Sequence, residues 1–251
     1  MTKNVLITGA SRRIGRAIAT AFARNGWNIG LHYRTSVKDA DALKEELNSL
    51  GVSVVLLQAD LENPAEVEDM IPRATETLGP LLCLVNNAAL FEQDTIEDAS
   101  AESFTRHINT NLLAPLLLSQ GFAHQLPKAV QGNIVNIIDQ RVFNLTPEFL
   151  SYTLSKAGLW TLTQTTAMAL APQIRVNAIG PGPTLANTRQ TAAQFKQQQL
   201  SVPLRYGPTA EEIAQAVQFI LAAKSMTGEF IALDGGQHLP ISQGGAKGRL
   251  E

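Results

Sequence analysis

The sequence predicts an α/β fold, a doubly wound sheet of about seven mostly parallel strands with helices on both faces. Three observations carry this reading. Short apolar runs rich in β-branched residues recur at 4–8, 28–33, 53–58, 81–86, 132–138, 174–179 and 229–233. Longer helical patterns fill most of the gaps between them. Residues able to bind or react cluster where the apolar runs end, and open α/β sheets take their ligands beyond the carboxyl ends of the strands, where the strand order reverses. At 251 residues and 27.0 kDa, the chain suits one domain that buries roughly 70–75% of its unfolded surface. That domain is expected over 1–241, with Ser242 to Glu251, three glycines among them, as a loose tail.

Composition excludes several classes of function. A formal net charge of -2 leaves no broad basic field for nucleic acid. Eighteen apolar residues never follow one another, and the first residues run into Asn4-Val-Leu-Ile-Thr8 without a basic leader and long apolar core, so neither a membrane span nor an export signal is expected. The single cysteine, Cys83, lies in an apolar run and fits a packing role in a reducing compartment. The expected location is the cytoplasm. No metal site is expected.

The first strand ends in Thr8-Gly-Ala-Ser-Arg-Arg-Ile-Gly15, which opens the helical pattern Arg16–Phe22. Gly9 and Gly15 permit a tight turn and a close helix–strand approach, and Ser11 and Ile14 complete a loop whose helix N-terminus offers free N–H groups to a pyrophosphate. Arg13 stands where the dinucleotide fingerprint usually has its further glycine, and places a fixed positive charge beside those anions. The second strand ends in His32-Tyr33-Arg34-Thr-Ser36, without the Asp or Glu that would hold a ribose 2′-hydroxyl. Arg34, Ser36 and Arg13 instead suit a 2′-phosphate, which favours NADPH over NADH. After the third strand, Asp60 and Leu61 fit either an adenine contact or a helix-entry turn. The fourth ends in Asn86-Asn87-Ala88, the fifth in Asp139 and the sixth in Pro181-Gly182. Between the last two, Tyr152 and Lys156 stand four residues apart on one helical face. An ammonium held near a phenol favours the phenolate, so the pKa of Tyr152 is expected to fall from about 10 toward neutrality. The Gln-rich segment 184–208 breaks the strand–helix rhythm and reads as a lid.

Thr8-Gly9, Asn86-Asn87-Ala88, Asn111, Tyr152-x-x-x-Lys156, Pro181-Gly182 and Asp234-Gly235-Gly236, in this order and spacing, resemble the short-chain dehydrogenase/reductase family over nearly the whole chain. The resemblance implies a Rossmann-type hydride-transfer enzyme. In it Tyr152 is the acid, Lys156 lowers the tyrosine pKa and binds the nicotinamide ribose, and Asn111 supports a proton relay through water. Asn86 and Asn87 brace the sheet and line the cofactor cleft. A homotetramer, built partly on the helix carrying Tyr152, is also implied.

Most members carry a serine about thirteen residues before the tyrosine; this chain reads Ile134-Val-Asn-Ile-Ile-Asp139. Asp139 in that place is similar to the pteridine reductase branch, in which Asp, Tyr and Lys form the catalytic set. Arg13, His32-Tyr33 with Arg34 and Ser36, and Phe91 match the same branch, and Phe91 falls where those enzymes stack an aromatic ring on the substrate. Ala89, where the branch often has a hydroxyl residue, leaves the particular pterin open. The expected substrate is a dihydropterin bound by Arg13, Phe91, Asp139 and Tyr152 and reduced to its tetrahydro form. Two other readings remain: a reductase of a carbonyl compound such as a 3-oxoacyl thioester, sugar or ketone, and a non-catalytic NADP(H) sensor.

Overall fold

The computed structural model describes residues 2–186 and 189–239; the expected 242–251 tail and positions 187–188 of the 184–208 segment lie outside the described residues. All seven expected strands form: β1 (Asn4–Ile7), β2 (Asn28–Tyr33), β3 (Val54–Gln58), β4 (Cys83–Asn86), β5 (Gly132–Ile137), β6 (Ile174–Pro181) and β7 (Phe230–Leu233). They join in one sheet of order β3-β2-β1-β4-β5-β6-β7, with every neighbouring pair parallel. The strand order reverses between β1 and β4, the place where such a sheet opens a crevice.

The strands read as continuous apolar runs because both faces are covered. Val5 and Ile7 of β1, Cys83 and Val85 of β4 and Val135 and Ile137 of β5 enter one core; Leu6, Leu84 and Ile134 enter the other. This is the two-residue alternation of a pleated strand. Helices α1 (Arg13–Arg24), α2 (Val37–Asn48) and α8 (Ala210–Ala222) cover the first face. Helices α3 (Pro64–Leu78), α5 (Ala114–Gln125) and α6 (Leu150–Leu170) cover the second. Helix α1 buries Ile18, Ala19, Phe22 and Ala23, the spacing of an amphipathic stripe. Cys83 is wholly buried in the first core, and desolvation pushes its thiol pKa far up, as a packing residue requires. Helix α4 (Ala101–Ile108) runs into a π-helical turn, Asn109–Leu113. Helix α7 (Ala192–Ser201) lies within the 184–208 segment, capped by Thr191 and Gln194. No described helix is long and apolar enough to cross a membrane.

Candidate active site

The β1 loop and the β4 loop are clamped together. Thr8 Oγ1 accepts from the N–H groups of Asn87 and Ala88 at 2.9 and 3.0 Å, and Asn87 Nδ2 donates to Thr8 O and Gly9 O at 2.8 and 3.2 Å. Gly9 has a φ of 61°, which glycine adopts without strain. A Cβ on Gly15 would collide with the Gly9 carbonyl and come within 2.7 Å of Asn87 Nδ2. Arg12, at the N-cap of α1, supplies no side-chain bond to the first turn, so these amides are free to meet an anion. Arg13 holds the unusual φ of 53°, and its guanidinium donates to Leu185 O and Ala186 O at 3.0 and 2.7 Å. The phosphate loop thereby touches the expected lid. Ile14, Pro181 and Gly182 line the same cavity.

Two residues at the end of β2 turn buried side chains to the loops and the core beside the cleft. His32 is buried, accepting from Gly9 N through Nδ1 at 3.0 Å and facing Ala59 O through Nε2 at 3.1 Å. Desolvation lowers its pKa to about 4. It is a neutral brace that holds the glycine loop to β3, and both ring nitrogens are already engaged. Tyr33 packs in the first core, because residues alternate across the strand and its side chain falls on the covered face. Arg34 and Ser36 remain at the surface of the loop. Ser36 Oγ lies 2.6 Å from Ser11 Oγ. Arg34 meets Glu62 at 3.3 Å and Asp60 at 3.9 Å; β2 carries no acid there, but the loop after β3 brings two. The Asp60 carboxylate also accepts from Glu62 N at 3.0 Å, a helix-entry turn. Gly9, His32, Arg34, Asp60, Leu61 and Ala88 line one cleft, so Asp60 makes its helix-entry turn at the wall of that cleft.

The proton-handling groups meet beyond β5. Helix α6 buries Tyr152, Ser155, Lys156, Leu159 and Thr163, a single helical face turned to the sheet, and this aims residues 152 and 156 at the strand ends. The Tyr152 hydroxyl donates to Asp139 Oδ2 at 2.9 Å, while Asp139 Oδ1 accepts from Arg141 N at 2.8 Å. Lys156 Nζ donates to Ile137 O at 2.9 Å and stands 5.8 Å from the centre of the Tyr152 ring. Asn111, in the π-helical turn, donates to Leu90 O and Ser155 Oγ, both at 2.9 Å, and accepts from Leu90 N at 2.8 Å. It ties the loop after β4 to α6.

Burial dominates the titration of the cluster. It raises the pKa of Asp139 above the usual carboxylate value and lowers that of Lys156 to about 8. The expected fall of the Tyr152 pKa does not occur in this structure: desolvation and then the negative Asp139 beside it push the phenol well above 10. Lys156, 5.8 Å from the centre of the ring, does not reverse this. Tyr152 therefore stands as a neutral proton donor with a neighbour able to hold a proton of its own.

Phe91 reaches the cluster, its ring lying edge-on to Tyr152 at 4.6 Å. One of its faces is stacked on Phe149 at 4.5 Å with the planes 4° apart. Phe149 adopts a left-handed φ of 59°, a strained backbone of the sort that collects at working sites. Its part was not visible in the sequence, since nothing in an isolated Phe announces a positive φ. Asp94 was missed as well: its backbone carbonyl accepts from Leu150 N and its carboxylate from Ser151 N, capping α6 just before Tyr152. An aspartate 57 residues away gives no local capping signal.

The cleft fits a nicotinamide dinucleotide. A glycine turn that a Cβ would block and an uncapped helix end suit its pyrophosphate, and a buried ammonium with one carbonyl partner suits its ribose hydroxyls. A family model described as short chain dehydrogenase matches residues 3–227. The chain belongs to this family. Among short-chain dehydrogenases of known structure it is similar to the FolM alternative dihydrofolate reductase 1 of Brucella suis, crystallised with NADP, at 41% identity and a TM-score of 0.93 over 96% of this chain and 97% of that one. The corresponding Brucella canis protein, also with NADP, gives 41% and 0.94 over 98% and 97%. A further short-chain dehydrogenase, the 3-oxoacyl-(acyl-carrier-protein) reductase of Staphylococcus aureus, is 34% identical over 95% of this chain and 99% of its own length.

Proposed function

We propose that this short-chain dehydrogenase is an NADPH-dependent reductase of dihydropterins. The observation that carries the reading is the Asp139–Tyr152 hydrogen bond at the mouth of the cofactor cleft, beside Phe91. The NADP in the similar Brucella structures supports the coenzyme, and the name dihydrofolate reductase that those proteins bear supports the pterin.

In this reading Gly9, Ser11 and the first turn of α1 receive the pyrophosphate, Arg34 and Ser36 the 2′-phosphate, Leu61 and Ala88 flank the adenine side, and Lys156 takes the nicotinamide ribose. NADPH, when bound, supplies the hydride. Asp139 orients the N–H edge of the pterin, as a carboxyl does and a serine hydroxyl does less well. Tyr152 gives its proton to the ring nitrogen, and Asp139, which accepts the hydrogen bond of the phenol, holds that hydroxyl in position. Arg13 lies between the pyrophosphate side and the substrate side of the cavity and offsets charge there. The 184–208 segment, held to Arg13 through the Leu185 and Ala186 carbonyls, excludes water as a lid. A homotetramer in the cytoplasm fits the same reading; α6 leaves Leu154 and Met168 exposed at 48% and 74%, an apolar surface suited to a subunit contact.

The similarity to a 3-oxoacyl reductase supports a carbonyl substrate as second reading. Following NADPH absorbance with dihydrobiopterin and with an acetoacetyl thioester separates the two. Oxidation with the pterin is the expected result; oxidation with the thioester alone would replace the reading, and oxidation with neither would favour a sensor.

A further inference from the structure

Arg141 has no role in the steps above, yet it stands at their edge. It belongs to the short 3-10 turn Gln140–Val142 directly after Asp139, and it lines the same cavity as Tyr152 and Lys156. Its guanidinium carbon lies 4.8 Å from the centre of the Phe149 ring and 6.0 Å from that of Phe91. One nitrogen, Nη1, donates to Thr146 Oγ1 at 3.0 Å. Among the described residues no carboxylate pairs with it. The described cavity wall carries three cations, Arg13, Arg141 and Lys156, and a single acid, Asp139. Asp139 feels the charge of Arg141 as well as that of Lys156, yet none of the described ion pairs engages the Arg141 guanidinium, and the cavity wall keeps an excess of positive charge.

A guanidinium laid on an aromatic face keeps its in-plane N–H edge open and pre-aimed, the geometry that accepts a carboxylate in two parallel hydrogen bonds. We propose that Arg141 determines specificity for a pterin with an acidic tail, its guanidinium on the Phe91–Phe149 pair receiving a carboxylate of the substrate side chain. This rests on the pterin reading above. A pteroylglutamate has the required charge; a pterin with a neutral polyol tail does not.

The test compares dihydrofolate with dihydrobiopterin, using steady-state NADPH oxidation by the wild type, Arg141→Met and Arg141→Lys. Methionine keeps an unbranched stem over the rings and loses the charge. For Arg141→Met the KM for dihydrofolate is expected to rise about tenfold to a hundredfold, the loss of a charge-assisted hydrogen-bonded pair. At the pH optimum of each enzyme the KM for dihydrobiopterin stays within about twofold, any change in kcat is shared by both substrates, and Arg141→Lys recovers part of the dihydrofolate KM. Because Arg141 also acts electrostatically on Asp139, a shifted pH profile is expected to be common to both substrates, whereas the ratio of the two KM values isolates the tail. Equal rises for both substrates, or a wild type that reduces dihydrobiopterin and not dihydrofolate, overturn the role of Arg141 and leave the pterin reading standing. A wild type that reduces neither overturns both.

Discussion

Tyr152 and Asp139, thirteen residues apart, are joined by a hydrogen bond of 2.9 Å in which the phenol donates and the carboxylate accepts. The bond links the first turn of α6 to the end of β5 and brings two groups of raised pKa together. A buried phenol and a buried carboxyl at this distance cannot both ionise without large cost. The pair therefore enters catalysis holding a proton.

Removing the phenolic oxygen isolates that proton. Tyr152→Phe keeps the ring and hence its 4.6 Å edge contact with Phe91, so the fold and coenzyme cleft should persist. Turnover is expected to fall about 10²–10⁴-fold, the usual contribution of a positioned acid, with NADPH affinity within about twofold by fluorescence titration. Undiminished turnover would take the acid's role from Tyr152.

Lys156 links coenzyme binding to pH. Burial lowers its pKa from 10.5 to about 8 in the free protein, and ribose hydroxyls arriving at the ammonium favour its charged form, so binding takes up a proton. NADPH affinity is thus full below about pH 8 and declines as pH rises through that value, by up to roughly tenfold per unit. Isothermal titration across that range reads it directly. The folding linkage has the opposite sign: a depressed lysine contributes stability above its unfolded pKa and loses it as pH falls through about 8. Lys156→Met should bind NADPH weakly and lack the step; a step that survives the substitution assigns it to another group.

The seven strands were legible because a sheet covered on both faces writes itself as apolar runs, and both cores confirm the alternation, as Val5, Leu6 and Ile7 show. Gly9, Gly15 and the Tyr152–Lys156 spacing were legible for the same reason: each is a local requirement of chain geometry. The buried places of the Tyr33 and His32 side chains were not legible, since proximity to a loop says nothing about which sheet face a residue takes or whether its polar atoms are already engaged. The tyrosine pKa was misjudged because burial and a facing carboxylate, both tertiary, outweigh the lysine. Phe149, Asp94 and Glu62 act through partners distant in sequence, and no pattern of neighbours marks them.

Gly15 tests the cradle itself. An added methyl would meet the Gly9 carbonyl and lie 2.7 Å from Asn87 Nδ2, a side-chain amide fixed by its bonds to Thr8 O and Gly9 O. Gly15→Ala is expected to cost about 1–3 kcal/mol of stability, the usual penalty of overpacking, and to weaken NADPH binding by displacing the turn. Thermal denaturation with and without NADPH measures the two effects. A variant of wild-type stability would mean that the loop relaxes freely, against the tight Asn87 bonds.

Arg34 tests the choice between the two nicotinamide coenzymes. Its guanidinium meets Glu62 at 3.3 Å, and Glu62 also meets Arg106 at 3.1 Å. A 2′-phosphate would have to compete with that carboxylate for Arg34, while Arg106 stays behind to hold it. The phosphate should win, because it brings more negative charge than the carboxylate and Glu62 keeps a second cation. Arg34→Ala is then expected to weaken NADPH about tenfold to a hundredfold and NADH by less than about twofold. Glu62→Gln should tighten NADPH by a few-fold at low salt, an effect that fades as ionic strength screens these partly exposed charges. Titrating both coenzymes against both variants decides it: parallel losses for NADPH and NADH in Arg34→Ala would show that the arginine shapes the loop and does not read the phosphate.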